Sequence, residues 1–251
     1  MLSPIDLTAA QERSLLGRTS PLVKLALALA WLVGLAVTLK AGPPVLLTGV
    51  AIAAGLVLGR VPPARLVRGL APLALVAASI ALANLLFSAS NTNPSSIEFA
   101  RIGPLRLTRE AAEVAAALGA RVLAIVSVGA VFAQTTDPTS LVDALVQQGH
   151  VSARFAYGAL AAYQALPRLG EDLATLRHAR RIRGLGASWH PRLVIGLLIR
   201  AIRHADQLAL AMDARAFGSG PRTTFRPIAW RWADLLVGLG GLAALGIAMS
   251  L

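Results

Sequence analysis

Leu70 to Phe87 (LAPLALVAASIALANLLF) is a stretch of 18 residues without a charge. That length approaches the roughly 20 residues a helix needs to cross a bilayer's hydrocarbon core. Lipid offers the backbone no hydrogen-bonding partner, so a segment placed there closes its own bonds as a helix. Four further runs are as apolar, with few charges among them: Pro21 to Leu39, Val45 to Gly59, Ala111 to Ala133 and Trp232 to Leu251. Val45 to Gly59 is at the short end of the spanning range, so flanking residues must join it. The sequence therefore predicts an all-α, multi-pass membrane protein with about five transmembrane helices.

Composition agrees. Of the 251 residues, 56% are hydrophobic and 14% charged, and the mean hydropathy is +0.66. Ordinary soluble domains carry about a quarter charged residues. Aromatics make up only 5%, with abundant Leu, Ala, Val and Gly, as suits helices that approach closely in lipid. Arg13 and Arg18 before the first run, with Lys24 near its start, imitate a signal peptide. No small-residue cleavage site follows, so the first run reads as an uncleaved span. Cysteine is absent, which excludes thiolate metal sites and disulfides.

The net charge of +12 would suggest nucleic acid in a soluble protein. Here the basic residues sit between apolar spans, with no basic patch interleaved with aromatics, so bilayer topology explains them and no nucleic-acid partner is expected. Residues 134–231 hold 13 of the 24 Lys and Arg. By the positive-inside rule this segment lies in the cytoplasm of a cell membrane protein. Four spans precede it, so the N-terminus is also cytoplasmic and the C-terminus outside. Arg60, Arg65 and Arg68 between the second and third runs agree. Arg101, Arg106 and Arg109 run against it, offset by Glu98, Glu110 and Glu113. Three regions follow: a four-span membrane domain (1–133), a cytoplasmic helical region (134–231) and a last transmembrane helix (232–251).

Within the middle region, Asp137 is an N-cap candidate followed by Pro138 at the first helical position, with Gly149 at the end of a short helix. Ser152 opens a helix that runs to Arg183 and is kinked at Pro167. Ser188 and Pro191 open another, ending near Phe217. At about 100° per residue, Ala201, Ala205, Leu208, Ala209, Met212 and Ala216 share one face of that helix. Arg200, Arg203, Asp206, Gln207 and Asp213 share the other, with Arg215 on the flank. Such a helix is too charged to span; it lies on the membrane surface or packs against a sister helix or a partner.

Both long helices end alike, in RHARRIRGLG (177–186) and in DARAFGSG (213–220). Arg in the last turn and Gly beyond it are ordinary C-capping signals. An exposed terminal Arg can also grip a carboxylate of another subunit with two hydrogen bonds.

At these residues the chain resembles the transmembrane T component of energy-coupling factor (ECF) transporters. ADQLALAMDARAFGSGPRT matches that family's acidic, Ala/Leu-rich helix ending in an Ala-Arg-Gly type motif, and SARFAYGALAAYQALPRLGEDLATLRHARRIRG resembles its other coupling helix. The resemblance implies a non-catalytic membrane subunit with three kinds of contact: two cytoplasmic ATPase subunits or one fused chain, a small membrane substrate-binding subunit, and the lipid bilayer. It places the ATPase-coupling motifs at Arg183 and Gly184, and at Ala214 and Arg215. Arg180, which follows Ala179, is the alternative register for the first motif; Arg180 and Asp213 are secondary contacts. The first motif has Ile182 where the family has Ala, and the second has Ala216 where it has Gly. Substrate specificity would reside in the other membrane subunit, so cobalt, nickel and several vitamins all fit.

Two polar residues interrupt the spans. Arg121 in the fourth run either contacts the substrate-binding subunit or pairs and snorkels internally. Asn84 in the third suits an interhelical hydrogen bond. His150, His178, His190 and His204 lack metal-ligand spacing, so no metal or cofactor is expected. There is no phosphate-binding loop and no convergent catalytic set, which sets aside an ATPase or a membrane enzyme. A membrane scaffold and a stand-alone secondary transporter are the alternatives, and the absence of paired intramembrane acids weighs against the transporter.

Overall fold

The computed structural model describes residues 11, 14–38, 40–88, 91, 98–102, 105–185, 190–220, 224 and 226–250. Among them, helices follow one another as the apolar runs dictate. A single turn, α1 (Leu15–Arg18), is capped by Ser14, whose Oγ accepts from Gly17 N–H at 2.9 Å. It leads into α2 (Pro21–Val37), with Pro at the favoured first position. The second run starts earlier than its apolar stretch, as α3 (Gly42–Ala53), and continues as a π-helical turn, Ala54–Leu58. Pro43 and Pro44 thus supply the flanking residues that this short span needs.

The third run also starts early. Helix α4 (Pro63–Phe87) takes Arg65 and Arg68 into its first turns, where the sequence had placed them in a connection. A Pro at N1 fixes that start, because its missing N–H costs nothing there. After α4 comes a hairpin of β1 (Glu98–Ile102) and β2 (Leu105–Thr108), antiparallel, with Arg101 opposite Arg106 and an ion pair between Glu98 and Arg106. Then come α5 (Arg109–Thr135), α6 (Pro138–Gln147), α7 (Ala153–Ile182), α8 (Pro191–Ala214) and α9 (Trp232–Ser250). Helices α4, α5 and α9 are long and apolar enough to cross a membrane; α2 and the stretch Gly42–Leu58 are apolar and shorter.

These residues form two compact units. One comprises Leu141–Ile228; the other contains the described parts of Ile5–Ser140 and Ala229–Leu251.

In the membrane unit α5 packs against α2, α3 and α4. It does so through small residues: Ala111, Ala115 and Gly119 are buried at intervals of four. A Cβ on Gly119 would come within 2.9 Å of the Ala81 methyl, so only Gly permits that approach to α4. The core gathers Trp31, Leu35, Leu47, Ala51, Ala124 and Ala248, and Trp31 Nε1 donates to Gly241 O at 2.9 Å. Outward-facing Val33, Val57, Leu75 and Leu236 are 66–74% exposed. An apolar exterior of this extent is stable in hydrocarbon and not in water.

Two polar ties close the unit. Asn91 joins the end of α4 to the start of α5: its Nδ2 donates to Leu85 O at 2.8 Å, and its Oδ1 accepts from Thr108 N–H and Oγ at 3.1 and 3.0 Å. At another position Lys24 and Asp234 bind helix ends. Lys24 Nζ donates to Thr135 O, the last residue of α5, at 2.7 Å. Asp234 accepts from Ser20 N–H at 2.6 Å and from Arg231 N–H at 2.7 Å.

The Asp137 cap of α6, which still belongs to the membrane unit, is present, with Oδ2 accepting from Ser140 N–H at 2.9 Å. Ser152 holds the N-cap position of α7 without a side-chain hydrogen bond. Pro167 is contained in a continuous α7. Ser188, expected to open α8, lies outside the described residues. The α8 cap is His190, whose Nδ1 accepts from Arg192 N–H at 3.1 Å. Helix α8 stops at Ala214, three residues before the expected end.

Candidate functional site

Helices α7 and α8 form an antiparallel pair. Arg168 meets His204 at 3.2 Å, and Asp172 accepts from Arg200 at 2.8 Å. Leu176 lies 3.5 Å from where a Gly196 Cβ would be. Each step of four down α7 is a step of four up α8, which is the spacing of one helix face. The predicted apolar face of α8 is real: Ala201, Ala205, Leu208, Ala209 and Met212 line a groove of about 370 Å³ with Gly158, Ala161, Ala162, Ala165 and Leu169 of α7. Ala216 is outside that lining. Arg200, expected to face away, reaches back to Asp172, while Arg203, Asp206, Gln207 and Asp213 are exposed.

Because the pair is antiparallel, the C-terminal ends of α7 and α8 lie at opposite ends of it. The 24 residues of α8 separate them by about 36 Å along the axis at 1.5 Å per residue.

The two ends share one capping pattern. Arg183 is the C-cap of α7: Gly184 N–H bonds Arg181 O at 3.1 Å and Leu185 N–H bonds Arg180 O at 3.1 Å. Arg215 is the C-cap of α8: Ala216 N–H bonds Asp213 O at 2.9 Å and Phe217 N–H bonds Met212 O at 3.0 Å. Both are Schellman motifs, which satisfy the orphan carbonyls of a last turn and need a left-handed residue after the cap. Gly184 supplies it with φ +71°. Ala216 supplies it with φ +53°, a conformation that costs an L-residue about 1–2 kcal/mol. The second motif thus keeps the geometry of glycine with Ala in its place.

This geometry separates the candidates. Arg183 and Arg215 occupy equivalent positions and both are exposed. Arg180 is half-buried and donates to Leu185 O at 3.3 Å, so its guanidinium folds back on its own turn. Ala214 is the last residue of α8, and Asp213 is exposed beside it. A carboxylate there opposes the helix dipole, so Asp213 is not placed for the helix's own stability. Arg121 and Asn84 belong to the membrane unit. Arg121 Nε is buried without a hydrogen-bond partner. Asn84 Nδ2 donates to Ile80 O of its own helix at 3.0 Å, rather than across to a neighbouring helix. That is the usual i−4 outlet for a polar side chain in a helix whose lipid-side neighbours offer nothing.

Sequence reasoning missed what surrounds the second tip. Tyr157 Oη donates to Asp143 Oδ1 at 2.7 Å, and the Tyr157 ring meets Phe217 edge-on, centroids 6.3 Å apart. Hydrogen bonding to Asp143, followed by burial and the carboxylate's charge, raises the Tyr157 pKa above its usual 10, so the hydroxyl stays a donor at any physiological pH. Arg154 donates to Gly218 O at 2.8 Å. No local pattern announces contacts across such separations. Among the described residues no group of three His, Asp or Glu could hold a metal.

The left-handed residues make a paired prediction. Ala216→Gly should stabilise the α8 end by about 1 kcal/mol, and Gly184→Ala should destabilise the α7 end by a similar amount. Hydrogen exchange at the Phe217 and Leu185 amides reads each end separately. Slower exchange at Phe217 in the first variant and faster at Leu185 in the second are expected; no change in either would contradict the assigned backbone.

Comparison with known proteins agrees with these helices. Residues 12–225 match the family model described as CbiQ, cobalt transport protein. The energy-coupling factor transporter transmembrane protein of Heliobacterium modesticaldum is 29% identical over 210 residues, 77% of each chain. That of Thermosediminibacter oceani is 27% identical over 260 residues, 94% of each. An ABC transporter ATP-binding protein of Bifidobacterium longum is 26% identical over 204 residues, and the aligned part is 72% of this chain but only 25% of that longer protein. The apolar spans and a family match running from the first helices to beyond the end of α8 lead to one conclusion: the chain belongs to the CbiQ family, the transmembrane T components of energy-coupling factor transporters.

Proposed function

We propose that this chain is the energy-coupling subunit of an ATP-driven micronutrient importer in the cell membrane, with the N-terminus and residues 134–231 on the cytoplasmic side. Arg183 and Arg215 each dock in a cytoplasmic ATPase subunit, or in one half of a fused ATPase. Closure of the ATPase pair on ATP shifts the two docked helix ends. Helices α7 and α8 pass that shift to a small membrane subunit that binds the substrate, which then releases it inside. The chain itself carries out no chemistry; hydrolysis belongs to the partners.

One observation carries this reading: two equivalent Arg C-caps at opposite ends of one antiparallel helix pair. A single gripping end would serve a scaffold. Two ends about 36 Å apart along the axis suit a partner with two equivalent sites. The exposed Arg side chains have the planar donors that grip carboxylates. The Bifidobacterium relative, named an ATP-binding protein, contains a segment like this chain within a longer protein, which supports coupling to an ATPase.

Affinity purification of the full chain in mild detergent tests the reading. ATPase subunits and a small membrane protein should copurify, with ATP hydrolysis in the eluate. A chain that purifies alone from its native cells would contradict it.

A further inference from the structure

We propose that Tyr157 is a positioning residue that seats the Arg215 tip, through its hydroxyl bond to Asp143 and its ring contact with Phe217. This rests on the docking role given to Arg215 above and adds what holds that tip in place.

The need for a seat comes from Ala216. Its left-handed backbone, φ +53°, is what turns the chain at the end of α8. An L-residue stays in that region only where its surroundings over-determine it. Without restraint, Ala216 relaxes to an ordinary conformation, the Schellman bonds open, and Arg215 loses its fixed exit from the helix. The restraints are in place on the next residues. Phe217 lies against the Tyr157 ring, and Gly218, at φ +83°, presents its carbonyl to Arg154. The left-handed backbone at Gly218 favours glycine, and a Cβ there would also displace the Arg154 side chain. Tyr157 is fixed in turn by Asp143 of α6, which is 8% exposed. Farther along the same segment, Gln147 of α6 accepts from Ile228 N–H and donates to Arg226 O, both at 2.9 Å.

The first tip is set differently. Gly184 adopts its left-handed turn, φ +71°, with no Cβ to strain it. Ile182 and Leu185 beside it are 87% and 58% exposed. The tip with Ala at the turn is the one with the seat.

The chain has no cysteine, so pairs of introduced cysteines report distances cleanly. Gly170 and Gly220 have open space around a new Cβ. Spin labels on Gly170→Cys/Gly220→Cys in the full chain in detergent measure the α8 tip against α7. Gly170→Cys/Leu185→Cys measures the other tip. Tyr157→Phe removes one hydrogen bond to a carboxylate, which shifts the balance of seated and unseated tip about tenfold. It should therefore add a second distance for Gly220 and none for Leu185. Asp143→Ala should do the same, while Asp143→Asn, which keeps an acceptor for the hydroxyl, should match the wild type. Adding Ala216→Gly to Tyr157→Phe should restore the single distance by removing the strain. Should Tyr157→Phe fail to fold, the Asp143→Ala and Asp143→Asn comparison decides.

A Tyr157→Phe distribution identical to the wild type overturns the seat, as does equal broadening at both tips. Copurification of the ATPase separates the two levels. If Arg215→Ala weakens it while Tyr157→Phe leaves distances unchanged, docking stands and the seat falls. If the distances broaden while Arg215→Ala retains the ATPase, the seat stands and the docking assignment falls.

Discussion

Replacing Arg183 and Arg215 together with Ala is expected to strip the ATPase subunits from the purified chain. Each exposed guanidinium, on the proposed reading, becomes buried against a partner carboxylate. Truncating one member of such a pair costs about 2–5 kcal/mol, a loss of roughly 30-fold to several thousand-fold in affinity. Either single variant should leave the assembly weakened and held by one end; the double should leave no detectable complex. The bonds that end both helices are backbone to backbone, so the double variant should keep its helical content. Arg→Lys at both positions should recover only part of the binding, since an ammonium keeps the charge and loses the two-pronged geometry. Copurification together with circular dichroism reads both effects. Intact copurification in the double Ala variant would refute the assignment.

The second large effect belongs to the membrane unit. Lys24→Ala should lower the unfolding temperature of the detergent-solubilised protein by roughly 5–10 °C. Lys24 and Asp234 are 7% and 3% exposed. Removing the ammonium leaves the Thr135 carbonyl at the end of α5 without its donor. Losing a buried hydrogen bond to a charged group costs about 1.5–3 kcal/mol. Asp234→Asn should also destabilise, for a different reason. The two carboxylate oxygens accept from two separate backbone N–H groups, of Ser20 and Arg231, and one amide oxygen replaces only one of them. Lys24→Met, which retains the volume, should be milder than Lys24→Ala. Equal melting of wild type and Lys24→Ala would show that the tie carries no stability.

What could be read ahead of the structure divides along physical lines. The five apolar runs were legible because hydrocarbon sets a length and lipid enforces a helix. The groove-lining face of α8 was legible because its period is local: Ala201, Ala205, Leu208 and Met212 are a turn apart. Asp137 was legible as a cap because its partner, Ser140, is three residues away. Helix starts at Pro were placed late: Pro63 carries α4 back over Arg65 and Arg68, which charge alone assigns to a turn.

Contacts between distant positions left no trace. Lys24 meets Thr135 across 111 residues, and Ser20 meets Asp234 across 214. Asn91 looked like one more loop residue, yet it closes two helix ends. At the candidate site the two Arg were legible as terminal residues. Their equivalence was not, because Ala216 avoids left-handed backbone by its own preference and adopts it only in context. The fold-back of the Arg180 side chain onto Leu185 O, which sets it apart from the exposed Arg183, was likewise not legible.

The most direct test of the central claim is site-directed cross-linking in native membranes. Leu185→Cys and Gly220→Cys, each alone in a chain that has no other cysteine, place a photoreactive thiol probe next to Arg183 and Arg215. Both probes should form adducts with an ATPase subunit, and each adduct should vanish when the adjoining Arg is replaced by Ala. Probes that stay open to a water-soluble thiol reagent, and that form no ATPase adduct while the ATPase is present, would contradict the account.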